Sequence, residues 1–385
     1  MNTYTALDLF CGAGGVSEAL KQEFNIVGAV EFDPIIAKSY KLNHGDNHLI
    51  QKDIKLISEE EWKETVALCP KELDLLVATP PCQGFSSHSR KRAIVNDDDR
   101  NNLVFEILKV VNIFEPKYIL FENVPNIVNY KVFHKFIRTL SNIKKDGFKR
   151  RHDKPAYHVQ FKIIDTSNYG VPQKRKRLIL VGKRIDKFPN QKAFIRFPVG
   201  GTPYVVKPLD LWPTEAKAPL LGEYLKNFQL PPLKAGERDK IDSLHTALKL
   251  FDINLKRIKA TPKNGGSRDA WPDELVLDCH KKKKVSFGDV YGRMNFYDYA
   301  PTITTGCVHY SRGRFGHPTQ DRAISLREAA LIQTFPIEYK FVGSLDSDIN
   351  EGSKGNIAIQ IGNAVPVNLA HAFIKSIKKA LTSTL

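Results

Sequence analysis

The stretch that most restricts the fold is the short apolar run Glu72-Leu73-Asp74-Leu75-Leu76-Val77, which leads into Ala78-Thr79-Pro80-Pro81-Cys82. A leucine- and valine-rich run this short, stopped by two prolines, predicts a buried strand of a parallel sheet ending in a stiff loop. The prolines fix φ and remove two backbone donors, so Cys82 is expected on a rigid main chain at a strand's carboxyl end. Open α/β sheets place their ligands in that crevice. A free cysteine is by default a small buried hydrophobe, so its neighbours must argue for any chemistry.

Other strand tips repeat the pattern. Tyr4 to Phe10 predicts a first strand, followed by the glycine-rich turn Cys11-Gly12-Ala13-Gly14-Gly15 and a helix from Ser17 to Phe24. Glycines there allow positive φ and a close approach of backbone to ligand at a helix N-terminus, although the third glycine of GxGxxG is missing. Ile26 to Val30 predicts a second strand ending in Glu31-Phe32-Asp33, where an acid can hydrogen-bond ribose hydroxyls. A helix from Pro34 to Leu42 follows, then a third strand over His48 to Ile54 that places Asp53 to accept from an adenine amino group. Glycines, Glu and Asp on successive strand ends imply an adenosine-type cofactor.

Past Cys82, residues 86–102 are polar and without period, as expected of a loop over the site. Apolar spacing predicts a helix over 103–114, and Tyr118 to Phe121 a strand ending in Glu122-Asn123, where a buried glutamate can hold a proton at neutral pH. A helix over 132–143 and a strand over 159–165 lead to Gln173-Lys174-Arg175-Lys176-Arg177 and a strand over 178–182. Alternation puts Gln173, Arg175 and Arg177 on one face, with Lys174 and Lys176 on the other. From about residue 190 prolines and glycines cluster and strands become hard to place. Order returns with a helix opening at 360–370 and running to about Ala380.

At 385 residues the chain exceeds the roughly 250 to 300 at which single cores stop growing. Two domains are expected, 1–190 with 350–385 and 191–349. No segment reads as a membrane span or secretory signal. Five scattered cysteines without a CxxC pair suggest a reducing compartment, no disulfide framework and no metal site. The net charge is +16, and residues 141–200 hold 16 Lys and Arg against 4 Asp and Glu, a surplus that suits a polyanion.

These blocks, in this order, resemble the DNA (cytosine-5)-methyltransferases. The later blocks Gly292-Arg293, Pro301 to Thr305, Arg327 to Ala330, Gln333 to Pro336 and Gln360 to Pro366 extend the likeness, and only 183–290 is without a match, where the family places its variable target-recognition region. The resemblance implies a Rossmann-like α/β doubly wound sheet with a second, smaller irregular domain. It implies S-adenosylmethionine as cofactor, with Phe10, Gly12, Ala13, Gly14, Gly15, Glu31, Phe32, Asp53, Ile54, Pro80, Leu103, Asn363 and Val365 around it. Cys82, Glu122, Arg175 and Arg177 take the catalytic positions, and Gln83, Ser86, Ser87, Arg90, Gln173 and Arg293 the DNA contacts. The substrate implied is double-stranded DNA with a cytosine turned out of its stack. A monomeric bacterial or phage restriction-modification methylase is expected, cytoplasmic, nucleoid-associated through DNA, with a cognate endonuclease acting separately. Methylation of cytosine in transfer RNA by the same family is the nearest alternative. A nicotinamide dehydrogenase shares the front half, yet leaves Cys82 and Glu122 without a role.

Overall fold

The computed structural model describes residues 4–81, 103–141, 154–186, 209–281 and 288–383. In chain order the elements are β1 (Thr5–Leu9), α1 (Gly15–Leu20), β2 (Asn25–Val30), α2 (Pro34–His44), β3 (Leu49–Ile50), α3 (Glu59–Val66), β4 (Leu75–Ala78), α4 (Leu103–Phe114), β5 (Tyr118–Asn123), α5 (Lys131–Ser141), β6 (Tyr157–Asp165) and β7 (Lys176–Arg184). There follow α6 (Leu221–Lys226), α7 (Asp252–Ala260), α8 (Asp278–Lys281), α9 (Leu326–Ile332), α10 (Lys354–Asn363) and α11 (Val367–Thr382).

The strands form one sheet in the order β3-β2-β1-β4-β5-β7-β6. β1 to β5 run parallel, while β7 is antiparallel to both β5 and β6. Alternate side chains separate two apolar layers. Ala6, Leu75, Val77, Leu120 and Val181 face α1, α9, α10 and α11, whereas Leu7, Leu9, Leu76, Phe121 and Leu180 face α3, α4 and α5. The first layer is one cluster reaching from Ala6 through Leu211, Met294 and Phe335 to Leu381, so the second half of the chain shares the sheet's core. Burying those faces is the main stabilising term, at roughly 25 cal/mol per Å² of apolar surface. Order reverses between β1 and β4, the switch point at whose carboxyl ends open α/β sheets place a ligand.

Three expectations are corrected. The first helix ends at Leu20, and Phe24 lies beyond it as a core residue. The third strand shortens to Leu49–Ile50, because Asp53 turns the chain by accepting from Lys55 N at 3.0 Å. The C-terminal helix is two helices broken at 364–366, where Pro366 has no N–H to continue the ladder. Lys354–Thr382 is the one candidate among the described residues with the length and apolar composition of a membrane span, and 67% of its apolar window is buried in the core. Among the described residues, 209–281 and 288–353 contribute only isolated bridges to β structure.

Candidate active site

The turn after β1 is built to receive a ligand at its rim. Phe10, Gly12 and Gly14 all lie at positive φ (62°, 57° and 96°), which for Phe10 is a strained conformation. Thr79 restrains it by donating its hydroxyl to Phe10 O at 3.1 Å, tying the tips of β1 and β4 together. Gly15 lies against the break between α10 and α11, where a Cβ would come within 2.9 Å of Val365 O. Ala13 and Val365 are buried beside this turn, while Asn363 at the end of α10 is exposed.

Beneath the turn lies a buried polar chain. Ser17 Oγ donates to Asp8 Oδ2 at 2.7 Å and meets Tyr40 Oη at 3.1 Å, and Tyr40 Oη meets His48 Nε2 at 2.9 Å. Asp8 Oδ1 is buried without a hydrogen bond, and burial pushes this carboxyl up to about 7, against the smaller opposing effect of Ser17. The acid interrupting the apolar run Leu7-Asp8-Leu9 was the sequence signal for this group, which the site expectations omitted.

At the tip of β2, Glu31 is 9% exposed and accepts from Asp33 N at 2.8 Å. Burial raises its pKa, with the nearby backbone N–H groups of Asp33, Phe32 and Gly12 pulling it back. The neighbouring Phe32 ring is 68% exposed, an unusual position for a large aromatic and one that offers a stacking face. Asp53 is exposed, Ile54 is buried below it, and Leu103 starts α4 half-buried. An adenosine carrying a charged side chain fits these groups: a left-handed glycine turn, a buried acid at the tip of β2, and an open aromatic face.

β4 and β5 carry the edge at which the sequence places Cys82 and Glu122. Asn123, 1% exposed, donates to Pro80 O at 3.1 Å while accepting from Val124 N at 2.9 Å, so β5 grips the turn that precedes Cys82. Glu122 and Arg177 extend from adjacent antiparallel strands and meet at 2.8 Å, with side-chain exposures of 13% and 12%. Burial raises the Glu122 pKa, while the charges of Arg177 and Arg175 lower it. An apolar wall of Val16, Val77, Leu120, Ile179 and Phe373 backs the carboxyl. Cys82, Gln83, Ser86, Ser87 and Arg90, together with the 86–102 loop, lie outside the described residues.

The alternation read along 173–177 holds: Gln173 and Arg175 are buried, Arg177 is half-buried, and Lys174 and Lys176 are exposed. The partners of the buried pair lie far along the chain. Gln173 Oε1 accepts from Ile303 N at 2.8 Å and its Nε2 donates to Gln333 Oε1 at 2.8 Å, while Arg175 donates to the carbonyls of Ile303, Gly362 and Ala364. Gln333 Nε2 in turn donates to Ile361 O and Ala364 O. Gln173 therefore joins segments of the fold, and its burial does not fit the DNA contact expected of it. The same correction applies to Arg293. It is 0% exposed and donates to the carbonyls of Thr261, His317, Gln320 and Ile258 and to Asp321 Oδ1, which leaves no face for a phosphate. Among the described residues no group of three or more His, Cys, Asp or Glu is arranged to hold a metal ion.

Comparison with known proteins agrees with this geometry. Residues 4–379 match the model of the C-5 cytosine-specific DNA methylases. The Type II methylase M.HgiDII of Herpetosiphon aurantiacus is 36% identical over 382 residues, covering 97% of this chain and 95% of that protein. The Type II methyltransferase M.NgoPII of Neisseria gonorrhoeae is 28% identical, covering 99% of this chain and 97% of its own. A prophage-encoded candidate DNA modification methyltransferase of E. coli has the same fold, with a TM-score of 0.65 at 21% identity over 99% of this chain and 100% of that one. The Spodoptera frugiperda DNMT2 structure follows at 0.58 and 17%, covering 97% of this chain and 99% of its own. With a match running almost end to end and the sheet, turn and carboxylate edge in place, the chain belongs to the C-5 cytosine-specific DNA methylase family and is a DNA (cytosine-5)-methyltransferase.

Proposed function

We propose that this enzyme methylates carbon 5 of a cytosine within a specific duplex DNA sequence, on a base turned out of the helix and held by a transient bond to Cys82. The observation that carries this reading is the Glu122–Arg177 pair, 2.8 Å apart and nearly enclosed, beside a Pro80 turn fixed by Asn123. Cytosine C5 is a weak nucleophile. Addition of the Cys82 thiolate to C6 breaks the ring's conjugation and moves an electron pair toward C5. Burial raises the Glu122 pKa against the charges of Arg177 and Arg175, which favours a proton that Glu122 donates to N3 so that the ring does not become anionic. Arg177 supplies a cation for the base's O2, and Arg175 acts from behind through its charge. S-adenosylmethionine, held by the turn Phe10 to Gly15 and Glu31, would supply the methyl as an electrophilic sulfonium carbon, with S-adenosylhomocysteine as the leaving group. Loss of the C5 proton to water, expulsion of the thiolate and return of the N3 proton to Glu122 then restore the aromatic ring.

For the cofactor we assign the turn Phe10 to Gly15, Glu31 to the ribose, Phe32 and Ile54 to the adenine faces, Asp53 to its amino group, and Pro80, Leu103, Asn363 and Val365 to the remaining walls. A duplex target requires extrusion of the base. The net charge of +16 supports binding to a phosphate backbone. The 191–349 region is assigned to target recognition. The chain is proposed to act as a monomer in the bacterial cytoplasm, on DNA that a separate endonuclease would otherwise cleave. Transfer of labelled methyl from S-adenosylmethionine to duplex DNA, with transfer RNA as the competing acceptor, tests this. Label in DNA at cytosine C5 supports the reading, and label confined to RNA contradicts it.

A further inference from the structure

The stretch between α9 and α10 is bonded along one side of α2. Asn43 makes a two-way contact with Lys340, accepting from its N–H at 3.0 Å and donating to its carbonyl at 2.8 Å. Val342 N donates to Ser39 Oγ at 2.9 Å, and Lys38 Nζ donates to Ser347 O at 2.9 Å. These bonds deliver Tyr339 to the underside of the cofactor turn, 326 residues from Ala13 in sequence. Its ring is 2% exposed and packed between Phe335 and Phe341, with centroids at 4.6 and 5.2 Å. Its carbonyl is held in turn by Arg327, which donates to it at 3.1 Å while pairing with Asp242.

The hydroxyl has one proton, and it goes to Ala13 O at 2.5 Å. His44 Nε2 lies 2.9 Å from the same oxygen, so the imidazole is the donor in that contact. The opposite edge of this peptide is also fixed, since Gly14 N donates to Cys11 O at 3.0 Å. Ala13 O therefore has no place in the ladder of α1, which begins with Glu18 N on Gly14 O, and takes its bond from outside the turn. The fit is close: a Cβ on Gly14 would lie 2.4 Å from His44 Nε2 and 2.7 Å from Tyr339 Oη.

We propose that Tyr339 is a positioning residue for the cofactor, fixing the plane of the Ala13–Gly14 peptide and hence the left-handed turn on which S-adenosylmethionine rests. The inference builds on the cofactor assignment above. It also means that a residue of the recognition half sets the affinity of the cofactor half, by a direct hydrogen bond. Its effect belongs to the ground-state affinity for the cofactor and not to the chemistry on the base.

The test uses the full-length chain and Tyr339→Phe, which removes one oxygen and keeps the ring. The dissociation constant for S-adenosylmethionine should rise about tenfold, with the KM for the cofactor following it and kcat at saturating cofactor staying within about twofold. DNA affinity should not move, and a purely structural role would not produce that split. Asn43→Ala, which frees the Lys340 strap without touching the turn, should weaken cofactor binding about threefold and covers the case in which Tyr339→Phe does not fold. Wild-type binding that is matched by the folded variant or variants overturns the inference alone. Failure of the wild-type chain to bind S-adenosylmethionine overturns the cofactor assignment and the inference with it.

Discussion

Arg177 Nε stands 2.8 Å from Glu122 Oε1 across the antiparallel pair of β5 and β7. Burial and the two arginines act on Glu122 in opposite directions, burial being the larger, so its pKa stays raised. Glu122→Gln should lower kcat by about 10² to 10⁴ while cofactor affinity holds. A glutamate that must be protonated loses activity as pH rises through its raised pKa. Arg177→Ala removes a cation that favours the carboxylate, so the alkaline limb of the rate profile should move to higher pH, with a lower maximum. A limb that moves to lower pH would contradict the assigned proton.

Asp8 gives a stability signature of the same sign. Folding raises its pKa from 3.8 to about 7, so the folded chain holds this proton more tightly than the unfolded one. The associated stability is complete below about pH 4 and is lost as pH climbs through about 7. Asp8→Asn keeps an acceptor for Ser17 and removes the titration. Its stability relative to wild type should therefore increase between pH 4 and 8, by up to about 4 kcal/mol. Denaturant melts at both pH values read this directly, and a constant difference would exclude a proton on Asp8.

Glu31→Ala removes the buried acid at the tip of β2. Binding of S-adenosylmethionine should weaken roughly 10- to 100-fold, the loss of a charge-assisted hydrogen bond. Non-specific DNA affinity should be unchanged. Calorimetric titration of cofactor and DNA separately checks both halves, and an unchanged cofactor constant would refute the ribose contact.

Arg293→Ala should destabilise the fold by about 2 to 4 kcal/mol, because several buried carbonyls lose their donor together. The salt dependence of DNA binding should stay as in wild type, since a buried guanidinium neutralises no phosphate. A variant of full stability with a shallower salt slope would return Arg293 to the DNA.

Much of this was legible in the sequence because a parallel sheet records itself locally. The runs ending in Phe10, Glu31 and Glu122 are short and apolar, and β1, β2 and β5 end at or beside those tips, while the tip after Pro80 lies outside the described residues. Alternation alone separated Gln173 and Arg175 from Lys174 and Lys176. What buries them was not legible, since their partners are Ile303, Gln333, Gly362 and Ala364, and no local period encodes a contact over 100 to 200 residues. Tyr339 and Asn43 escaped for the same reason. Arg293 was placed at the DNA because an arginine serves a phosphate or five protein acceptors equally well in sequence, and only its burial separates the two. The third strand failed through turn chemistry, with Asp53 capping a turn where a strand had been extended.

The central claim, a bond between the Cys82 sulfur and C6 of an extruded cytosine, is tested most directly with a long DNA duplex carrying 5-fluorocytosine at every cytosine, so that any recognition sequence is present. Fluorine on C5 cannot leave as a proton does, so the methylated adduct cannot eliminate the thiolate. With S-adenosylmethionine present, the wild-type chain should form a complex with this DNA that survives denaturation, and peptide mass spectrometry should place the attachment at Cys82. Methylation of ordinary duplex DNA without any such trapped complex, or trapping at full yield in Cys82→Ser, would contradict the account.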